Sequence, residues 1–301
     1  MYCIETINLI HKFSENEIAL NCVNLQVIKG SIYGFLGPNG AGKTTTLKLI
    51  LGLLKKQLGE ILVFGKPFAK NRVEALRKIG SMIESPSIYG HLTAVENLRI
   101  LQKVYGCPMS RIQEVLQLVG LAQTDKKRAN QFLLGMKQRL SIAIALLHSP
   151  SLLILDEPTN GLDPSGILEI RELLQKLNQN HGITILISSH LLSEIEKFVT
   201  HIGIINQGNL LFQGTLPELV SKRQQNSFII FETNDPTKAS QIIDDFGITS
   251  QIEAGKVAIP IIEKEWIAKI NRKLVQNNVE IYQISKIEND LEKIFFDVIS
   301  E

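Results

Sequence analysis

The sequence predicts an α/β fold, with a mostly parallel sheet covered by helices and a smaller α+β domain after it. Three observations carry that expectation. Gly37-Pro38-Asn39-Gly40-Ala41-Gly42-Lys43-Thr44 is a glycine-rich loop set between an apolar strand and a helix. Leu152 to Leu155 is a short apolar run closed by Asp156-Glu157, which suits a strand buried on both faces. Between and beyond them, apolar runs and helical periods follow one another in a βαβα rhythm, the pattern of a parallel sheet.

The elements follow in order. Residues 1–36 alternate apolar and polar stretches, as in Ile18 to Val27, and read as short strands joined by turns. Ser31 to Leu36 is an apolar strand that delivers the chain into the glycine loop. Thr44 to Leu54 is a helix with Leu47, Ile50, Leu51 and Leu54 on its buried side. Val95 to Leu121 is helical and broken once, at Gly106-Cys107-Pro108. Lys137 to Leu147 is a helix stopped by Ser149-Pro150, and Ile167 to Leu177 is another. Gly182 then hands over to the strand Ile183 to Ile187. A polar run, Ser221 to Ser227, marks a boundary within residues 215–227. Beyond it the pattern gives a strand (228–232), a helix opened by Asp235-Pro236, and two strands around Gly255-Lys256. A helix (262–276), a strand (279–284) and a last helix from about Asn289 complete the domain.

Composition narrows the class. The chain has 301 residues, 44% hydrophobic and 21% charged, which is ordinary for a globular protein. Its longest apolar runs fall short of the roughly 20 residues that cross a bilayer, and the first residues do not read as a signal peptide. The three cysteines match no metal spacing and read as reduced. A formal net charge of +2, with no basic stripe carrying aromatics, argues against a nucleic-acid partner.

The glycine loop and the acidic strand end define a chemistry. Glycines allow a tight turn whose successive N–H groups surround an anion, and the helix that follows adds its own free amides. Lys43 is expected to reach terminal phosphates, and the Thr44 hydroxyl to hold Mg²⁺. Asp156 and Glu157 are expected to leave one strand end in opposite directions because side chains alternate there. Asp156 would serve the metal, and Glu157 would activate a water. His190, after Ile187-Ser188-Ser189, would face the same crevice outside the strand ends.

With these segments in this order, the chain resembles the nucleotide-binding subunits of ABC transporters over essentially its whole length. The resemblance implies a P-loop ATPase core over residues 1–220, with N-terminal antiparallel strands and a helical subdomain at about 85–150. A small α+β accessory domain would occupy residues 227–301. Gly37 to Thr45 looks like the Walker A segment and Leu152 to Asp156 like Walker B. Glu157 matches the general base, Asn160-Gly161-Leu162-Asp163 the D-loop, and His190 the switch histidine. Phe13 matches the aromatic that stacks on adenine. ATP and Mg²⁺ are the implied cofactors.

Phe132-Leu133-Leu134-Gly135-Met136-Lys137-Gln138-Arg139 occupies the place of the signature Leu-Ser-Gly-Gly-Gln, which caps the ATP held by an opposite subunit. Leu133 stands where the signature has serine, Leu134 where it has glycine and Met136 where it has glutamine, while Gly135 is kept. Leu133, Gly135 and Met136 are therefore expected at the nucleotide of a homodimer. Hydrolysis is expected to be retained but weakened or slowed.

Ile79 to Pro86 aligns with the loop whose glutamine contacts Mg²⁺ and places Glu84 at that position, as in the subfamily that exports lantibiotics for self-immunity. Bacitracin-resistance and drug-export subunits look similar elsewhere. The resemblance implies an ATPase peripheral to the inner face of a cell membrane, on the cytoplasmic side. It would touch permease subunits through residues of about 82–100, including Glu84, Tyr89 and Leu92. A lantibiotic is the expected cargo, with a bacitracin- or multidrug-type exporter as the alternative. A soluble non-transport ATPase or regulatory module is a third reading.

Overall fold

The chain opens with strands β1 (Tyr2–Ser14), β2 (Glu17–Val23) and β3 (Gln26–Ile28), then enters β4 (Ile32–Leu36) and helix α1 (Lys43–Ile50). This computed structural model describes residues 1–15, 17–84, 88–124, 126–223, 228–287, 295 and 298–299. Next come β5 (Leu58–Val63), β6 (Lys66–Pro67), α2 (Phe68–Leu76) and β7 (Ile79–Met82). Helices α3 (Ala94–Tyr105), α4 (Ser110–Leu118) and α5 (Leu134–Leu146) follow. The unit continues through β8 (Leu152–Asp156), α6 (Pro164–His181), β9 (Thr184–Ser189), α7 (Leu192–Ile195), β10 (His201–Asn206) and β11 (Asn209–Gly214).

Two sheets organise this first unit. The antiparallel sheet runs β2-β1-β5-β6 with β3 on the flank of β1. The larger sheet runs β11-β10-β4-β9-β8-β7 and is parallel from β10 through β7. Every residue of β4, β8 and β9 is buried. That is why their central residues are apolar in succession rather than alternating, with polar groups such as Asp156, Ser188 and Ser189 at the carboxyl ends: layers cover both of their faces. Parallel order also brings the carboxyl ends of β4, β8 and β9 to one edge, and the loops leaving them share a crevice.

The helical segment is punctuated by its turn chemistry. Gly106 closes α3 in the left-handed region at φ 66, where a side chain would be strained. Thr93 opens the same helix: its hydroxyl accepts from the Glu96 amide, and the Glu96 side chain caps Thr93 in return. Buried Asn97 braces the preceding turn by accepting from Tyr89 N–H and donating to the Tyr89 carbonyl.

Several expectations need correction. Helix α1 ends at Ile50 rather than Leu54, with Leu51 as its C-cap, and the chain turns at Gly52 in the left-handed region. Ile79 to Met82 forms the edge strand β7, paired with β8, rather than beginning a loop. Strands β5, β6, β10 and β11 and helix α2 have no counterpart in the sequence reading. Around β5, β6 and α2, glycine and proline at 59, 65 and 67 broke up the apolar pattern.

The chain divides into two compact units, Met1–Pro217 with Phe295–Glu301, and Glu218–Ile294. The expected division, 1–220 and 227–301, therefore differs at the end of the chain, whose last residues group with the first unit. There the Asn206 side-chain amide donates to the Ile299 carbonyl at 3.0 Å. Helix α8 (Leu216–Arg223) leads into the second unit.

The second unit is β12 (Phe228–Thr233), α9 (Pro236–Asp244), β13 (Gln251–Glu253), β14 (Lys256–Pro260), α10 (Lys264–Gln276) and β15 (Ile281–Ile287). Its sheet order is β13-β14-β12-β15 with antiparallel pairs, a β-α-β-β-α-β arrangement. Ile229, Phe231, Ile243, Ile259, Ile270 and Leu274 form its core. Asp235 caps α9 by accepting from the Lys238 amide at 3.0 Å. The start of the expected last helix lies outside the described residues.

Candidate active site

The glycine loop leaves β4 and wraps back onto α1. Gly37 has no room for a side chain, since a Cβ there would sit 2.2 Å from the Ile205 carbonyl oxygen. Gly42 caps α1 at φ 108, and a Cβ on it would lie 2.8 Å from the Ala19 carbonyl oxygen. Both positions therefore need glycine for the backbone to close in. The Gly37 and Ala41 amides donate to the Ser189 and Pro38 carbonyls, and the amides at the turn and the start of α1 are the ones placed to surround an anion. A cleft of about 370 Å³ opens here, lined by Phe13, Glu17, Ile18 and Ala19, by Pro38, Asn39, Gly40, Ala41, Gly42, Lys43, Thr44 and Thr45, and by Glu157.

Side chains converge on the cleft from three strand ends. Lys43, only 6% exposed, places Nζ 3.2 Å from Glu157 Oε1. The same ammonium donates to the Gly37 and Pro38 carbonyls at 2.6 and 3.2 Å. Thr44 Oγ1 donates to Asp156 Oδ2 at 2.8 Å across 112 residues of chain. Ser188, at the end of β9, donates to the other oxygen of Asp156 at 2.6 Å and accepts from the Glu157 amide at 2.9 Å. His190 Nδ1 lies 2.8 Å from Glu157 Oε2. An ionised carboxylate only accepts, so that ring nitrogen carries the proton.

The strand-end geometry differs from simple alternation. Asp156 is the last residue of β8, but Glu157 is already in the left-handed region at φ 49. This backbone turn, held by Ser188, sends its carboxylate to Lys43 and His190. His190 therefore meets Glu157 directly. The sequence reading passed over Ser188, although a hydroxyl pair just ahead of His190 was the signal available.

Other expected residues lie away from this cluster. Glu84 does not line the cleft. It sits at φ 59 with its side chain 63% exposed, and its carboxylate is taken by Lys48. Leu133, Gly135, Met136 and Asp163 also lie outside the cleft lining. Leu133 is 75% exposed at the start of α5, and Asp163 caps α6 by accepting from the Gly166 amide at 3.0 Å. Phe13 does line the cleft, with its ring edge-to-face with buried His11 at 5.0 Å.

The residues present fit ATP with Mg²⁺. The glycine cradle and Lys43 suit phosphates, while the paired hydroxyl of Thr44 and carboxylate of Asp156 are the hard oxygen donors that Mg²⁺ takes alongside phosphate oxygens. Fold and site together define a P-loop ATPase.

Comparison with known proteins narrows the class. The family model described as ABC transporter matches residues 20–160, and one described as an AAA domain, putative AbiEii toxin, Type IV TA system, matches residues 126–196. The bacitracin transport ATP-binding protein BcrA of Bacillus licheniformis is 44% identical over 98% of this chain and 97% of its own. The lantibiotic transport ATP-binding protein SrtF of Streptococcus pyogenes is 46% identical over 68% of this chain and 88% of its own. Among solved structures, cbiO1 of Clostridium perfringens, part of an ABC transporter complex, superposes with a TM-score of 0.66 at 27% identity, over 75% of this chain and 95% of that one. The ATP-binding cassette MJ0796, solved as a dimer bound to ADP and Pi, gives 0.63 at 28%, over 71% and 98%. The chain belongs to the ABC transporter ATP-binding proteins and is related to the bacitracin- and lantibiotic-type export ATPases. It binds ATP with Mg²⁺ and has the architecture that couples ATP hydrolysis to transport.

Proposed function

We propose that the chain is the ATPase subunit of an exporter that removes a bacitracin-like peptide antibiotic. The observation that carries this is likeness along the whole chain to bacitracin transport proteins, including one from Enterococcus faecalis at 40% identity over 99% of this chain. The lantibiotic reading keeps support from the SrtF likeness, but that likeness runs over 206 residues only. The comparisons therefore favour the bacitracin-type alternative over the lantibiotic cargo first expected.

In this reading Lys43 and the backbone amides of Asn39, Gly40, Gly42, Lys43 and Thr44 hold the β- and γ-phosphates, and Phe13 stacks on the base. Thr44 and Asp156 hold Mg²⁺, which supplies charge neutralisation at the phosphates. Glu157 accepts the proton of the attacking water, and His190, donating through Nδ1, fixes the orientation of that carboxylate. Two chains close head to tail, so that Leu133, Gly135 and Met136 of each copy cap the nucleotide of the other, with Asp163 close by. The dimeric MJ0796 cassette supports that arrangement. No helix among the described residues is long and apolar enough to cross a membrane, so separate permease subunits would carry the cargo. The turn of residues 88–93, with Tyr89 55% exposed, offers them a contact, and closing the dimer would move it.

The test is protection of susceptible cells. Expressed with its permease partners, the chain should raise resistance to bacitracin more than to a lantibiotic, and Glu157→Gln should abolish the effect. Protection against the lantibiotic alone would overturn the cargo assignment, and full protection by Glu157→Gln would overturn the role of Glu157.

A further inference from the structure

We propose that Glu194 is a positioning residue that clamps the loop after β8 to the loop after β9 and so holds Glu157 and His190 in register. Thr159 Oγ1 donates to Glu194 Oε2 at 2.6 Å, and Ser189 Oγ lies 3.3 Å from the same oxygen. Both hydroxyl residues are buried, Thr159 at 1% and Ser189 at 0% exposure. One carboxylate oxygen thus joins a residue two positions after Glu157 to the residue just before His190. Hydrogen bonds to an ionised acceptor are the stronger and more directional kind.

The surrounding backbone gives the clamp its consequence. The Glu157 carbonyl accepts from Asn160 N–H and the Thr159 carbonyl from Leu162 N–H, at 3.1 Å each. The loop therefore folds tightly around Thr159 before Asp163 caps α6. On the other side, the Ser189 hydroxyl accepts from the Leu191 amide at 3.1 Å and shares its single proton between Glu194 Oε2 at 3.3 Å and the Leu191 carbonyl at 3.0 Å, which ties the clamp to the turn that presents His190. A shift of the loop 158–163 is passed through Glu194 to the His190 turn. The two halves of the 2.8 Å Glu157–His190 contact then move together. Pressure from a second copy on residues 160–163 would reach the proposed base by this route.

The inference rests on Glu157 acting as base with His190 beside it. A rival is that Glu194 merely favours the start of α7 by its charge, in which case Thr159 would not matter. The test uses the full chain, with steady-state phosphate release for kcat and a fluorescent ATP analogue for affinity. Thr159→Val, which keeps the shape and removes the donor, and Glu194→Ala should each lower kcat roughly 10- to 100-fold, the scale of a small misplacement of reacting groups. Nucleotide affinity should stay within about twofold of the parent chain, since neither residue lines the cleft. The double variant should be no slower than the slower single one, because both break one clamp. Thr159→Ser, which keeps the hydroxyl, should restore most of the rate, and Glu194→Gln, which keeps an acceptor without its charge, should fall between.

The clamp is overturned if the single losses multiply in the double variant, if Thr159→Val leaves kcat unchanged, or if affinity falls as far as kcat. Glu157→Gln, run alongside, tests the base separately: hydrolysis at the parent rate there would sink that assignment. The clamp would still be decided by the Thr159–Glu194 cycle alone.

Discussion

Leu133→Ser repairs two things at once, and their sizes can be worked out separately. Leu133 is the N-cap of α5, with φ −65 and ψ 161 and no side-chain cap. Its carbonyl already accepts the first helical hydrogen bond, from Lys137 N–H at 3.0 Å. The side chain is 75% exposed, so removing it surrenders little packing. A serine hydroxyl in that backbone conformation can accept from the Met136 amide, which contributes about 1 kcal/mol at an N-cap. For a unit of this size the midpoint of thermal unfolding should rise by about 2–4 °C. In a closed dimer the same hydroxyl would also bond a phosphate oxygen, for about 1–3 kcal/mol. Two such bonds form in each closed dimer, so its dissociation constant should fall by roughly 30- to 25,000-fold.

The two effects have separate assays. Circular dichroism without nucleotide reads the cap, and analytical ultracentrifugation with ATP in a Glu157→Gln background reads closure. Phosphate release in the otherwise unchanged chain should rise with closure. Leu133→Ala is the control, because it removes the leucine and adds no acceptor. An unchanged melting midpoint would refute the capping argument. Equal dimerisation and equal phosphate release would refute the proposed cap on the opposite nucleotide.

Three further outcomes are expected. Gly37→Ala should abolish ATP-analogue binding, because its methyl would meet the Ile205 carbonyl at 2.2 Å and force the loop open. Binding within a few fold of the parent chain would contradict that. Glu84→Ala should spare ATP binding, since Glu84 is bound by Lys48 away from the cleft, but should reduce antibiotic protection in cells; undiminished protection would remove its coupling role. His148 stacks on Tyr105 at 4.5 Å, and burial, the larger influence, holds its imidazole below the usual histidine range. The unfolded chain then takes up this proton first as pH falls, so the stabilisation is full above about pH 6.5 and is lost as pH drops through the folded value. Thermal melts from pH 7.5 to 5.5 should fall less steeply for His148→Phe, and parallel slopes would exclude His148 as the source.

Much of the site was legible because it is local. The glycine loop, Lys43 and Thr44 lie within eight residues, and their strand-loop-helix setting follows from apolar runs on either side. Asp156 ends an apolar strand, Glu157 follows it and His190 follows β9, so their type and place were visible along the chain. Less legible were elements whose pattern is broken. Strand β1 carries Asn8 at φ 47 and register shifts against its neighbours, which blur its alternation. Strands β10 and β11 turn tightly through Gln207 and Gly208 at positive φ, a hairpin signal that the apolar run of residues 202–205 overshadowed.

By itself, then, the sequence determined the P-loop α/β class, the phosphate-binding loop and the acidic strand end, since each depends on neighbours in the chain. Only the tertiary structure decided which side chains meet. It joined Thr44 to Asp156 and Glu157 to both Lys43 and His190, it drew Glu84 to Lys48, and it placed Glu194 between two loops. Those contacts come from strand order and from the left-handed turn at Glu157. Packing sets these contacts across separations such as 33 residues for Glu157–His190 and 112 for Thr44–Asp156, distances over which local periodicity carries no information.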